Sequence, residues 1–247
     1  MQRISLFFIG ILFSLSGESQ NFDYSFSKDS VSWQELNNQT ILNENDTAWK
    51  FSYKIPVGFT FNFLGRNFDS VSIETNGYLV FDADRNYALT SFLGFGDCVD
   101  SIGNHSVLGY EVIGTPGNKI LKIQFKNISN AKHSNQHFTY QLWLKENGAV
   151  EVHIGPNDYQ PGIIVTTTVI DSLTVESDTL FTNPDSSQQF RVGMINMNMD
   201  SEIRGFFIGG NVSSPQSQPV DDNHPDPIYL VRAPSLGTRY TFTPNSN

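Results

Sequence analysis

The chain has 247 residues, with 15 Lys+Arg against 25 Asp+Glu, a formal net charge of −10 and a sequence pI near 4.8. An acidic surface repels phosphate backbones and argues against a nucleic-acid partner. A single cysteine excludes an internal disulfide and every multi-cysteine metal site. Twenty Phe and 9 Tyr with only 16% charged residues favour half-buried pleated surfaces over coiled coils or a disordered tail.

The first segment, MQRISLFFIGILFSLSGES, has a basic start at Arg3, an apolar run from Ile4 to Leu15, and small residues Gly17 and Ser19 before Gln20. That three-part order predicts a secretory signal over residues 1–19, cut before Gln20. The apolar run is shorter than a bilayer span, and nothing later approaches about 18 apolar residues in succession, so no transmembrane segment is expected after cleavage. Cys98 lies too far along to be a lipid-anchored cysteine beside the signal. The mature protein is expected in the periplasm, on the cell surface or outside the cell.

Alternation starts at Val57. In VGFTFNF, Val57, Phe59, Phe61 and Phe63 share one face, the period of a strand packed on one side. Asn76-Gly77 between Val71–Thr75 and Tyr78–Phe81 predicts a hairpin with a two-residue turn, both residues at positive φ, and so does Asn147-Gly148 between Phe138–Lys145 and Ala149–Ile154. Pro116-Gly117-Asn118 predicts a third turn, between Val107–Ile113 and Lys119–Ile128. Further strands are expected at Ile163–Ile170, Phe190–Met197, Ile203–Ile208, Tyr229–Val231 and Thr238–Thr243.

No window shows apolar spacing at three and four. About a dozen short strands with Gly, Pro and Asn turns describe an all-β, antiparallel β-sandwich of jelly-roll-like character. The expected organisation is one domain over 20–247, with a Pro-rich loop at 211–227; a division near Asp158–Gly162 is the alternative.

The segment IPVGFTFNFLGRNFDSVSIETNGYLVF resembles the opening strands of a nidogen-like β-sandwich module of secreted and surface proteins of Bacteroidota, common in type IX secretion cargo. GYEVIGTPGNKILKIQFKNI, FTYQLWLKENGAVEVHIG and the closing APSLGTRYTFTP are similar to its later strands, so the likeness runs from Tyr24 to Pro244. These motifs are structural glycines and aromatics, and the resemblance implies a fold without a chemistry. Where the family carries an apolar-Trp-Asp-Asp stretch, this chain has FLGFGDCVDS, Phe92 to Ser101. Many relatives continue into a C-terminal sorting domain, whereas this sequence reaches Asn247.

The motifs of serine hydrolases, zinc proteases and P-loop enzymes do not occur. Glu151 and His153 share a strand face, where a carboxylate can hold an imidazole, but opposite Val150, Val152 and Ile154 they are expected on the solvated side. His133 and His137 lie four apart in an expected loop with no third ligand, and read as solvated. Asp82, Asp84 and Asn86 have the alternating oxygens that open a calcium loop, yet Tyr87 stands where glycine is needed, Leu93 where a bidentate glutamate belongs, and Arg85 opposes a cation. The metal reading is disfavoured, and no cofactor is expected.

Loop aromatics Trp33, Tyr87, Phe92, Phe95 and Tyr159 are candidates for stacking on sugar rings, against the alternative that they fill the core. The triplet Asp-[Ser/Thr]-apolar recurs at Ser30, Thr47, Ser70, Ser101, Ser172 and Thr179. It is similar to the O-glycan acceptor triplet of exported Bacteroidota proteins, and equally to a turn before a strand. The leading reading is an exported, non-catalytic adhesion or glycan-binding module, with a glycan or a surface protein as partner. A sandwich-fold polysaccharide hydrolase and a structural subunit of an envelope assembly are the alternatives.

Overall fold

Strands follow one another along the chain with short connections between most of them. The structure, a computed structural model, describes residues 24–44, 50–75, 77–90, 98–100, 106–130, 137–158, 167–170, 173–176, 190, 192–196, 204–220, 228–230 and 233–245. Among them are β1 (Tyr24–Ser30), β2 (Thr40–Glu44), β3 (Ser52–Phe63), β4 (Arg66–Glu74), β5 (Tyr78–Val80) and β6 (Tyr87–Thr90). Next come β7 (Cys98–Asp100), β8 (Val107–Ile113), β9 (Ile120–Asn130), β10 (Phe138–Lys145) and β11 (Val150–Asn157). The series ends with β12 (Thr167–Ile170), β13 (Leu173–Glu176), β14 (Val192–Asn196), β15 (Arg204–Gly209), β16 (Gln216–Val220) and β17 (Thr238–Pro244).

They form an all-β sandwich of two antiparallel sheets, not closed into a barrel. The first sheet has the order β1-β17-β11-β10-β9-β8-β2, with β7 paired along β9; the second has the order β16-β15-β14-β6-β5-β4-β3, and β12 and β13 pair as a separate hairpin. Each sheet contains a meander, β8 to β11 in one and β3 to β6 in the other. The last strand, β17, lies between β1 and β11.

Between the sheets the alternation is realised: Val57, Phe61 and Phe63 are buried, while Phe59 packs against the core only partly buried. Phe206 of β15 meets Phe242 of β17 edge to face across the sandwich, at 5.7 Å and 86°. Each such ring contributes about 1.5–3 kcal/mol through burial. The Tyr24 hydroxyl donates to the Gly148 carbonyl at 3.2 Å, and its ring lies 6.5 Å from Phe63 of the opposite sheet.

Two local expectations are corrected. The Asn-Gly hairpins are not two-residue turns. Gly148 N–H donates to the Lys145 carbonyl at 2.8 Å and Lys145 N–H to the Ala149 carbonyl at 2.9 Å, so Glu146, Asn147 and Gly148 make the connection. Gly148 has φ of 85°, whereas Asn147 has no positive φ. This is the three-residue loop in which the glycine supplies the left-handed last position. Gly77, with φ of 86°, likewise donates to the Glu74 carbonyl, at 3.0 Å. The two-residue turn with both φ positive occurs instead at Leu64-Gly65, between the paired Phe63 and Arg66. The Pro-rich segment 211–227, expected as a loop, contains β16, which pairs with β15 at the sheet edge. Its Pro219 is tolerated there because an edge strand has one side free of ladder donors.

Candidate functional site

β1 and β2 lie at opposite edges of the first sheet, so the nine residues 31–39 joining them cross its outer face. Six strand spacings of about 4.8 Å make roughly 29 Å, and ten Cα steps reach about 33–36 Å at most. This strap therefore has little slack. It is fastened strand by strand. Val31 N–H donates to the Gly237 carbonyl at 2.8 Å, and Trp33 rests on Gly155 of β11. Gln141 of β10 donates to the Gln34 carbonyl at 2.8 Å, Leu36 N–H donates to Gln124 Oε1 of β9 at 3.2 Å, and Gln39 lies over Gly109 of β8. Glycines stand at two of these crossings because the strap occupies the space of their side chains: a Cβ on Gly155 would approach Trp33 to 2.8 Å.

Beneath and beside the strap, antiparallel register places two rows of outward side chains across the sheet. One row runs Gln124, Gln141, His153, Arg239, Asp29; the other runs Glu111, Lys122, Trp143, Glu151, Thr241. His153 Nε2–H donates to Glu151 Oε2 at 2.8 Å, and Lys145 Nζ donates to Glu151 Oε1 at 2.5 Å. The Trp143 indole stacks on the His153 ring at 4.0 Å and donates to Gln141 Oε1 at 2.9 Å, while Lys122 Nζ lies 4.2 Å from the Trp143 ring centroid. Arg239 makes a two-point pair with Asp29, which lowers the Asp29 carboxyl from its ordinary range. Burial alone would push the Glu151 carboxyl up. The hydrogen bonds from His153 and Lys145, with their charges, outweigh it and bring it down to about 2.

Along the strap opens a groove of about 350 Å³, lined among others by Trp33, Glu111, Lys122, Trp143, His153 and Arg239. From Arg239 on β17 to Glu111 on β8 it spans four strand spacings, roughly 19 Å. Its two lining cations both have carboxylate partners, Arg239 with Asp29 and Lys122 with Glu111 at 3.6 Å. Two buried donors near the strap, Trp33 Nε1 and Gln124 Nε2, have no acceptor among the described residues.

The expected solvated placement of Glu151 and His153 is thus overturned: they are 3% and 6% exposed. Trp143, the strap and the β17 side chains cover the face that alternation alone assigns to water. Trp33 and Tyr87 do not form one aromatic platform, because Trp33 lies on the first sheet while Tyr87 of β6 packs on Phe68 at 5.4 Å in the second. Phe92, Phe95 and Tyr159 lie outside the described residues, as do Thr47, Ser101, Ser172, Thr179 and His133. Ser30 is exposed at the end of β1, and Ser70 is half-buried in β4.

At the acidic turn, Asp82 Oδ1 accepts the Tyr87 N–H at 3.1 Å, and Arg85 (φ 60°) makes a two-point pair with Glu74 at 2.7 and 2.8 Å. Asp82 thereby closes its own turn. No cluster of three or more His, Cys, Asp or Glu suited to a metal occurs among the described residues. Trp143 and Arg239 are the site residues that sequence reasoning misses. The one available signal is that Gln141, Trp143 and Lys145 form the polar-aromatic phase of an otherwise apolar strand.

These features define an antiparallel β-sandwich with a strapped, charge-balanced outer face. The family model described as NIDO related matches residues 23–193, more than half of the chain, and the chain belongs to that family. The matched span ends in β14, so β15, β16 and β17 lie beyond it. No curated protein and no solved structure matches the chain. Among the described residues no helix is long and apolar enough to cross a membrane.

Proposed function

We propose that this chain is an exported, non-catalytic binding module that acts in adhesion or glycan recognition outside the cytoplasm, as the likeness to Bacteroidota surface modules implies. The observation that carries this reading is the groove beside the strap, a preformed concavity with aromatic and polar walls. The charge arrangement supports binding over hydrolysis. Glu151, buried beside the groove, is held at about 2 by its partners, so it neither gives nor takes a proton near neutrality. An envelope-subunit role would need an open edge strand. The long edge strand β3 instead carries Pro56 and a register shift between Pro56 and Phe61, and Lys119 Nζ donates to its Gly58 carbonyl at 2.9 Å.

A glycan and polysaccharide array probed with the mature protein tests the reading, alongside reducing-end assays on each bound polysaccharide. Binding without released sugar is expected; turnover would overturn the non-catalytic reading. Export is tested separately by N-terminal sequencing of protein from its native host. It is expected to begin at or within a few residues of Gln20, and retention of Met1 would overturn it.

A further inference from the structure

We infer that His153 selects the ligand of the groove: its Nδ1 accepts a hydrogen bond from a ligand hydroxyl, and protonation of the ring releases that ligand. This inference rests on the binding-module reading above and names the selecting residue of its site and the regulation of that site.

The proton of His153 is placed by its neighbour. An ionised carboxylate only accepts hydrogen bonds, and Glu151, held at about 2, is ionised throughout the neutral range. Its Oε2 lies 2.8 Å from His153 Nε2, so the neutral ring carries its proton on Nε2. Nδ1 is left with a bare lone pair. It has no hydrogen-bond partner among the described residues, yet it is not one of the buried unpartnered atoms, as Trp33 Nε1 and Gln124 Nε2 are. The 6% of His153 that stays exposed therefore includes Nδ1, and the residue lines the groove.

The ring is also held still. It stacks on Trp143 at 4.0 Å, and Trp143 is fixed in turn by its N–H bond to Gln141 Oε1 and by the Lys122 ammonium. An acceptor aimed in advance loses little freedom when a ligand arrives. Other polar groups of the groove are already committed, Arg239 to Asp29 and Gln141 to Trp143 and the Gln34 carbonyl. The open lone pair calls for a donor. A hydroxyl donates to it and still accepts from Lys122 or from the Asn37 and Asn38 amides, whereas a peptide N–H only donates.

Protonation inverts this contact. The second proton goes to Nδ1, which then donates and can no longer receive the ligand hydroxyl. Around the ring the charged groups come as pairs: Lys145 with Glu151, Arg239 with Asp29, Lys122 with Glu111, and Lys126 with Glu35 of the strap. The imidazole is the group of this set whose charge changes near neutrality. Binding therefore holds at the alkaline end and weakens as the pH falls.

The test begins with the mature protein alone. Long-range proton–nitrogen spectra of the histidine-labelled chain read the tautomer of His153 directly. At about pH 8 a protonated Nε2 and a bare Nδ1 are expected, and the opposite tautomer overturns the inference. Affinity electrophoresis against neutral polysaccharides (β-glucans, xylans, mannans and galactans) then reads binding. Retardation by at least one polymer is expected at about pH 8, weakening roughly tenfold toward about pH 5. His153→Leu should weaken binding about tenfold at the higher pH, the loss of one good hydrogen bond. His153→Asn, which sets an oxygen acceptor near the Nδ1 position, should weaken it less and remove the pH dependence. If both variants fail to fold, the tautomer and the pH profile of the unaltered protein carry the test. Polysaccharide binding that responds neither to pH nor to His153→Leu overturns the inference while leaving the binding-module reading in place. No binding to any of these polymers also overturns it, and only the further absence of binding to any other glycan and of adhesion to any surface protein overturns the module reading as well.

Discussion

Trp33 of the strap rests on the bare backbone of Gly155, where a Cβ would lie 2.8 Å from Cζ2 and 2.9 Å from Cε2 of the indole. The indole is rigid and the strap has little slack, so the clash cannot be absorbed locally. Gly155→Ala is expected to cost about 1–3 kcal/mol while leaving the two sheets assembled. Hydrogen exchange should report it as faster exchange at Leu36 N–H, with the β9–β10 ladder unchanged. Uniform loss of protection across both sheets would show that the strap is part of the global core.

Acid should find Glu151. Its carboxyl is held at about 2 in the folded chain against an ordinary 4.5, so the unfolded state binds the proton more readily. The corresponding stabilisation, about 3 kcal/mol by linkage, is complete above pH 4.5 and drains away as the pH falls toward 2. Urea denaturation from pH 7 down to 2 measures it. Glu151→Gln should flatten that part of the profile; an identical profile in the variant would show that its partners do not stabilise the carboxylate.

Gly77 has φ of 86° and closes the turn that leads from β4 into β5. A β-branched side chain is strained in that conformation, and Gly77→Val is expected to cost on the order of 1–3 kcal/mol. Thermal melts of the two proteins decide it, with an unchanged midpoint counting against the turn.

Calcium should leave the protein indifferent. Asp82 Oδ1 is occupied by the Tyr87 N–H, and the Arg85 guanidinium pairs with Glu74 beside the same turn. A site with Kd near 0.1 mM would add roughly 2.7 kcal/mol at about 10 mM calcium. The melting midpoint is expected to be equal in calcium and in chelator. A rise abolished by Asp84→Ala would make the acidic turn a metal site.

Strands with bulky alternation are legible in the amino-acid sequence alone. Val57–Phe63 lies where its period of two puts it, because side-chain direction in a strand is a local property, and the strands expected at Val107–Ile113 and Phe138–Lys145 from the turns beside them are found at those bounds. The short strands β7 and β13 and the Pro-bearing β16 carry no comparable pattern, and pairing with a neighbour is what makes them strands. Asn-Gly likewise marks two hairpins correctly, while loop length follows from how the flanking residues pair.

The site divides in the same way. Spacing alone puts Glu151 and His153 on one face, because residues two apart in a strand always share one. Whether that face meets water is decided by residues distant in the chain. Arg239 comes opposite His153 through the insertion of β17 beside β11, and residues 31–39 cross over because their two strands occupy opposite edges of the sheet. Local sequence sets the direction of a side chain, whereas burial, charge pairing and the groove arise from strand order, which depends on the whole chain closing two sheets over one core.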